Sequence, residues 1–207
     1  MSDDIPREHR LTVARNARCY TQGGAAATEA WVLLHGYGQL AARFLRGFAP
    51  LATPSRLLVA PEGLSRFYLD AGAGKVGASW MTREDREHEI GDYLAYLDQV
   101  RRSLVPPVPL TVLGFSQGVA TAARWVVAAT PAPARLICWG GLVPEEVPAS
   151  RLAGLRLTFV VGEREEWAPP AAVEAQAAAF RAAGVAVEVH RFDGGHEIQA
   201  AVLDRLL

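Results

Sequence analysis

Short apolar runs alternate with longer amphipathic ones along the chain, and turn residues bound most of the short runs. Trp31-Val32-Leu33-Leu34, Leu57-Leu58-Val59-Ala60, Leu110-Thr111-Val112-Leu113, Leu136-Ile137-Cys138-Trp139 and Leu157-Thr158-Phe159-Val160-Val161 read as strands buried on both faces. Residues 185–192 alternate instead, with Val185, Val187 and Val189 on one side, which suits a half-exposed strand nearer a sheet edge. Residues 11–20 are expected to add an antiparallel edge strand.

Between the strands, the clearest helix spans 84–104, where Ile90, Tyr93, Leu94, Leu97, Val100 and Leu104 form one apolar stripe at the helical period. Thr82 with Asp85 three residues on resembles a capping box, and Glu84, Asp85 and Glu87 complement the positive end of the helix dipole. Pro106-Pro107 and Pro109 stop the helix before the next strand. Further helices are expected at 39–51, after Ser116 to Ala129, at 171–183 and at 197–206. The glycine-containing stretch 64–79 has no clear period and reads as an excursion over the C-terminal edge of the sheet. Alternating strands and helices predict an α/β fold with a mostly parallel central sheet covered by helices on both faces.

Half of the 207 residues are hydrophobic, enough to bury a full core, and the length fits one domain over 1–207 better than two. With 21 basic and 22 acidic residues the formal net charge is −1, so there is no footprint for nucleic acid or for an anionic membrane. A small, nearly neutral partner fits better. Cys19 and Cys138 stand far apart without metal-ligand spacing and read as reduced structural thiols rather than a disulfide framework or a zinc site. The start, Met1-Ser2-Asp3-Asp4-Ile5-Pro6-Arg7, lacks the apolar stretch of a signal peptide, and no later apolar run is long enough to span a bilayer. The expectation is a cytoplasmic protein without stable membrane insertion.

Candidate chemistry begins at Gly114-Phe115-Ser116-Gln117-Gly118, which follows a buried strand directly and precedes the small-residue stretch Val119-Ala120-Thr121-Ala122-Ala123. That context is the one a nucleophile elbow requires. A sharp strand-to-helix turn pushes the serine hydroxyl out at the sheet edge, in a backbone conformation where side chains two residues before and after would collide. The two glycines remove the collision, and the helix N-terminus favours developing negative charge. An ordinary N-capping serine needs neither glycine.

A serine hydroxyl is a poor nucleophile until a base takes its proton, and five histidines compete for that task. His9 lies in a polar N-terminal segment, His88 in the first turns of a charged helix, and His190 inside a strand. His196, in Phe192-Asp193-Gly194-Gly195-His196-Glu197, sits in a loop after the last strand, which faces the same sheet edge as the elbow. The imidazole then needs a carboxylate from a point after the nucleophile and before the histidine. Glu163, Glu165 and Glu166 compete for it where the penultimate strand ends. For an oxyanion hole, Gln117 supplies one backbone N–H; the second is expected from His35-Gly36-Tyr37-Gly38, with Tyr37 as its donor and His35 bracing the loop. Gly72-Ala73-Gly74-Lys75-Val76-Gly77 matches a dinucleotide fingerprint by letter, but it neither ends a strand nor opens a helix and reads as a turn.

On these residues the chain resembles the carboxylesterase/phospholipase family of α/β-hydrolases, which includes the acyl-protein thioesterases. The likeness is carried by His35-Gly36-Tyr37-Gly38, Ala60-Pro61, the Trp80 segment, the Ser116 elbow, Gly162-x-x-Glu165-x-x-x-Pro169 and Gly195-His196. It implies an α/β-hydrolase fold with a minimal lid, no cofactor or metal, and a small-molecule ester as partner. In that family the acid stands three residues after a glycine and four before a proline, a register that selects Glu165, although an aspartate is usual there. Trp80-Met81-Thr82 departs from the tryptophan, aromatic, aspartate common in relatives, which implies an altered pocket wall, and Val119 replaces a frequent small residue. Phe67, Tyr68, Leu69, Trp80, Met81, Leu142 and Val143 are expected to wall an acyl pocket. The resulting expectation is a serine esterase acting through an acyl-enzyme intermediate, with thioesterase or lysophospholipase activity as close alternatives. A hydrolase-fold protein that binds a small ligand without turnover is the alternative outside enzymes.

Overall fold

A computed structural model describes residues 6–70 and 72–207. The expectation that no signal peptide is present falls largely on residues 1–5, which lie outside the described residues. Seven strands form the main sheet: β1 (Cys19–Gly23), β2 (Glu29–Leu34), β3 (Arg56–Pro61), β6 (Leu110–Phe115), β7 (Arg135–Trp139), β8 (Arg156–Gly162) and β9 (Ala186–Phe192), in the order β1-β3-β2-β6-β7-β8-β9. All neighbours pair in parallel except β1, which runs antiparallel to β3. The remaining strands, β4 (Ser65–Asp70) and β5 (Lys75–Ser79), make a separate antiparallel hairpin. This is the α/β-hydrolase fold.

Successive residues of the central strands face opposite layers, as the two-residue period of a strand requires. Ala30, Val32 and Leu34 of β2, Leu136 and Cys138 of β7, and Leu157, Phe159 and Val161 of β8 join one core. That core is completed by α2 (Arg86–Leu104), α3 (Gln117–Ala128) and α4 (Pro170–Ala182). Trp31, Leu33, Ile137, Trp139 and Val160 point the other way, into a second core under α1 (Ala41–Arg46) and α5 (Ala200–Leu203). Burial on both faces explains why these strands carry almost continuous apolar runs.

Four expectations are corrected. The antiparallel edge strand exists, but over Cys19–Gly23 rather than 11–20, with residues 6–18 in no regular element. Asp85, not Thr82, caps α2, in a left-handed conformation without a side-chain cap; Thr82 instead reaches Glu89, its N–H donating to Oε2 at 2.5 Å. Leu104, at the end of the predicted stripe, is exposed. The expected helices at 39–51 and 197–206 are each a short α-helix followed by a 3-10 turn, at Ala49–Leu51 and Asp204–Leu206.

Candidate active site

Ser116 lies between the end of β6 and the first residue of α3, with φ 54° and ψ −120°. That region is costly for a residue with a Cβ, and local packing enforces it. Ser116 N–H donates to the Trp139 carbonyl at 2.9 Å, and the Ser116 carbonyl accepts from Val119 N–H at 2.9 Å. A Cβ on Gly118 would come within 2.1 Å of the Leu34 carbonyl oxygen, so only glycine lets α3 start this close to β2.

His196 approaches from the loop after β9. Its ring lies over Phe115, with centroids 4.8 Å apart, and its Nδ1 meets Glu165 Oε2 at 2.6 Å. Glu165 is buried, and its other oxygen accepts the Trp167 N–H at 2.8 Å, so the carboxylate is held at both ends. A buried carboxylate satisfied in this way fixes the ring it contacts and stabilises positive charge on it. The competing glutamates are elsewhere: Glu163 is exposed and pairs with Arg191 at 2.5 Å, and Glu166 is exposed to solvent. No hydrogen bond joins Ser116 Oγ to His196 among the described residues. His196 Nε2, the nitrogen not turned to Glu165, is likewise without a protein partner.

The loop after β2 passes beside the elbow, where a Cβ on Gly36 would stand 3.1 Å from Ser116 Cβ. Gln39 Oε1 accepts the Gly36 N–H at 2.8 Å, and Gly38 N–H donates to the Ala78 carbonyl at 2.9 Å, tying the loop to the β4–β5 hairpin. Among the described residues the N–H groups of Tyr37 and Gln117 donate to no protein acceptor. His35 is buried beneath, its Nε2 accepting from Gly63 N–H at 2.9 Å while Nδ1 faces the Gly36 carbonyl at 2.8 Å. The ring is therefore neutral with its proton on Nδ1, and burial pushes its pKa below the ordinary 6.5.

Of the expected pocket residues, Trp80 is buried and donates from Nε1 to the His35 carbonyl at 2.8 Å, so it supports the loop from below. Met81 and Leu142 are half-buried and pack against the core on the α3 side. Phe67 meets Tyr37 ring to ring at 5.0 Å, and Tyr68 and Leu69 are exposed on the hairpin. A cleft of about 410 Å³ opens on the other side of His196, floored by Leu40, Phe44, Val76, Phe115 and Ile198.

Two side-chain roles are not foreseen from the sequence. The Gln117 side chain clamps the end of β5, accepting from Trp80 N–H at 3.1 Å and donating to the Met81 carbonyl at 2.8 Å. Glu62, buried, accepts from Arg18 (2.5 Å), Arg66 (3.2 Å) and the Ala41 N–H (3.3 Å), joining the N-terminal segment, the hairpin and α1. Both roles depend on partners distant in the chain. A glutamate directly after the buried Ala60-Pro61 was the available hint for Glu62, since a buried carboxylate must find donors.

No family model matches the chain, and no curated protein matches it in sequence. Solved structures do. Acyl-protein thioesterase 2 of Zea mays superimposes with a TM-score of 0.71 at 18% identity, over 92% of this chain and 96% of that one. A carboxylesterase from Mesorhizobium loti gives 0.71 at 22% identity, over 92% of each chain. The Bacillus cereus carboxylesterase gives 0.70 at 17% identity, over 92% of this chain and 91% of that one. These likenesses establish for this chain the α/β-hydrolase fold in the form seen in carboxylesterases and acyl-protein thioesterases.

Proposed function

We propose that the protein is a serine hydrolase, a single domain over 1–207, that cleaves small carboxylic esters with Ser116 as nucleophile, His196 as base and Glu165 as the acid that orients it. The observation carrying this reading is the pairing of a strained, glycine-flanked Ser116 with an imidazole whose Nδ1 is held 2.6 Å from a buried carboxylate at the same sheet edge. His196 Nε2 takes the Ser116 proton as Oγ attacks the ester carbonyl carbon. The carbonyl oxygen becomes an oxyanion facing the N–H groups of Tyr37 and Gln117. Collapse of this intermediate breaks the C–O bond, and His196 returns the proton to the leaving alcohol. Water, deprotonated by the same nitrogen, then attacks the acyl-serine, and the acid leaves as Ser116 recovers its proton. Hydrogen bonds between serine and histidine are commonly long before substrate binds and tighten in the substrate complex. Met81 and Leu142 would wall one side of the acyl site, with Trp80 behind them.

The test is turnover of short activated esters, with labelling by a fluorophosphonate probe, in the wild type and in Ser116→Ala. The variant should lose both while keeping its circular dichroism spectrum. Undiminished turnover in it would end the assignment. Parallel ester and thioester substrates of one acyl chain measure the leaving-group preference.

A further inference from the structure

The cleft beside His196 is apolar on its floor but carries two charged side chains in its lining, Arg43 and Glu197. Their polar neighbours are already engaged. Gln39 Oε1 is occupied by the Gly36 N–H, and Glu197 Oε1 accepts from Gln199 Nε2 at 3.0 Å. Arg43 differs. It projects from α1 between the buried Ala41 and Phe44 and is exposed, and its guanidinium makes no hydrogen bond or ion pair among the described residues. A guanidinium offers five N–H donors in a planar fork that matches a carboxylate with two parallel hydrogen bonds. Elsewhere on this surface arginines take such partners: Arg56 with Glu29, Arg124 with Glu146, Arg191 with Glu163. A substrate lying on Leu40, Phe44 and Ile198 displaces water from the cleft, which lowers the local dielectric and strengthens any charge pairing formed there.

Building on the esterase reading above, we infer that Arg43 selects esters that carry a free carboxylate, which it binds while their apolar carbons lie on the cleft floor. Arg43 is thereby a specificity-determining residue. Glu197, of opposite charge in the same cleft, restricts where that carboxylate can sit and disfavours a second one. The charge could reach the cleft on either half of the substrate, so two substrate arms separate the cases. In one, the monomethyl ester of glutaric acid is compared with methyl valerate, placing the charge on the acyl part. In the other, the acetate ester of 4-hydroxybutyric acid is compared with butyl acetate, placing it on the alcohol.

The quantity read is the ratio of kcat/KM for the charged ester to that for its neutral counterpart, in wild type, Arg43→Gln and Arg43→Lys. In one arm Arg43→Gln should lower the ratio about five- to tenfold. Arg43→Lys should keep only part of it, since an ammonium retains the charge but not the paired hydrogen bonds, and raising salt from about 0.05 to 0.5 M should lower the wild-type ratio as the attraction is screened. A ratio unmoved by Arg43→Gln in both arms overturns the inference. If the neutral esters are still hydrolysed in a Ser116-dependent way in that case, the esterase reading stands and only the role of Arg43 falls. If no ester is turned over and the probe leaves Ser116 unlabelled, the esterase reading fails and the inference fails with it.

Discussion

A Cβ placed on Gly114 would lie 2.2 Å from the carbonyl oxygen of Gly118, so the strand before Ser116 and the helix after it touch backbone to backbone. Neither chain segment can yield without unpairing β6 from its neighbours or unwinding the start of α3. Gly114→Ala and Gly118→Ala should each destabilise the fold by about 2 kcal/mol or more, as overpacking against backbone does. Chemical denaturation measures this. Both variants should also lose ester turnover out of proportion to the fraction unfolded, because the clash is relieved by moving Ser116.

Glu165 and its neighbours make a second, sharper comparison. Glu165→Gln should lower kcat roughly a thousandfold to ten-thousandfold with little change in KM, since an amide cannot hold the required tautomer or balance an imidazolium. Glu163→Gln and Glu166→Gln, which alter exposed side chains, should stay within about twofold. Glu165→Asp should fall between, because one methylene less lengthens the 2.6 Å contact to His196 Nδ1. Steady-state kinetics on one activated ester separates the two Glu165 variants from each other and from the two exposed-site changes. Equal losses in Glu163→Gln and Glu165→Gln would remove the special position of Glu165.

His35 gives a dependence of stability on pH whose sign follows from its surroundings. Its folded pKa is depressed by burial below the 6.5 of the free side chain, so the unfolded chain takes up a proton near that pH while the folded chain does not. The contribution is complete above about pH 6.5 and is lost as the pH falls below it, at up to about 1.4 kcal/mol per pH unit. Urea unfolding at pH 7.5 and 5.5 should show a steeper decline in wild type than in His35→Gln, whatever the overall stability of the variant. Parallel declines would mean that His35 charges in the folded state.

Much of this site was legible in the sequence because its parts follow local rules. The strands that carry it are buried on both faces and so appear as apolar runs. The elbow needs glycines at fixed offsets; among Glu163, Glu165 and Glu166 the residues alone left the choice open, and the family resemblance, through its register from Gly162 to Pro169, singled out the glutamate that the fold brings against His196. What escaped depends on meetings between distant segments. The stretch 64–79 forms a hairpin whose β4 residues are largely exposed, so no apolar alternation announced it. The edge strand sits at Cys19–Gly23 because pairing with β3, not its own composition, decides where it forms. The cleft floor gathers Leu40, Phe44, Val76, Phe115 and Ile198 from four separate regions, a grouping that exists only once the chain is folded.

The φ of 54° at Ser116 sets the interests of folding and of chemistry against each other at a single position. Glycine tolerates that conformation freely, and relief of about 1–3 kcal/mol of backbone strain exceeds the roughly 0.5–1 kcal/mol that glycine's extra unfolded freedom costs. Ser116→Gly should therefore melt at a higher temperature than Ser116→Ala. At this one turn, then, a gain in heat resistance and retention of the hydroxyl exclude each other.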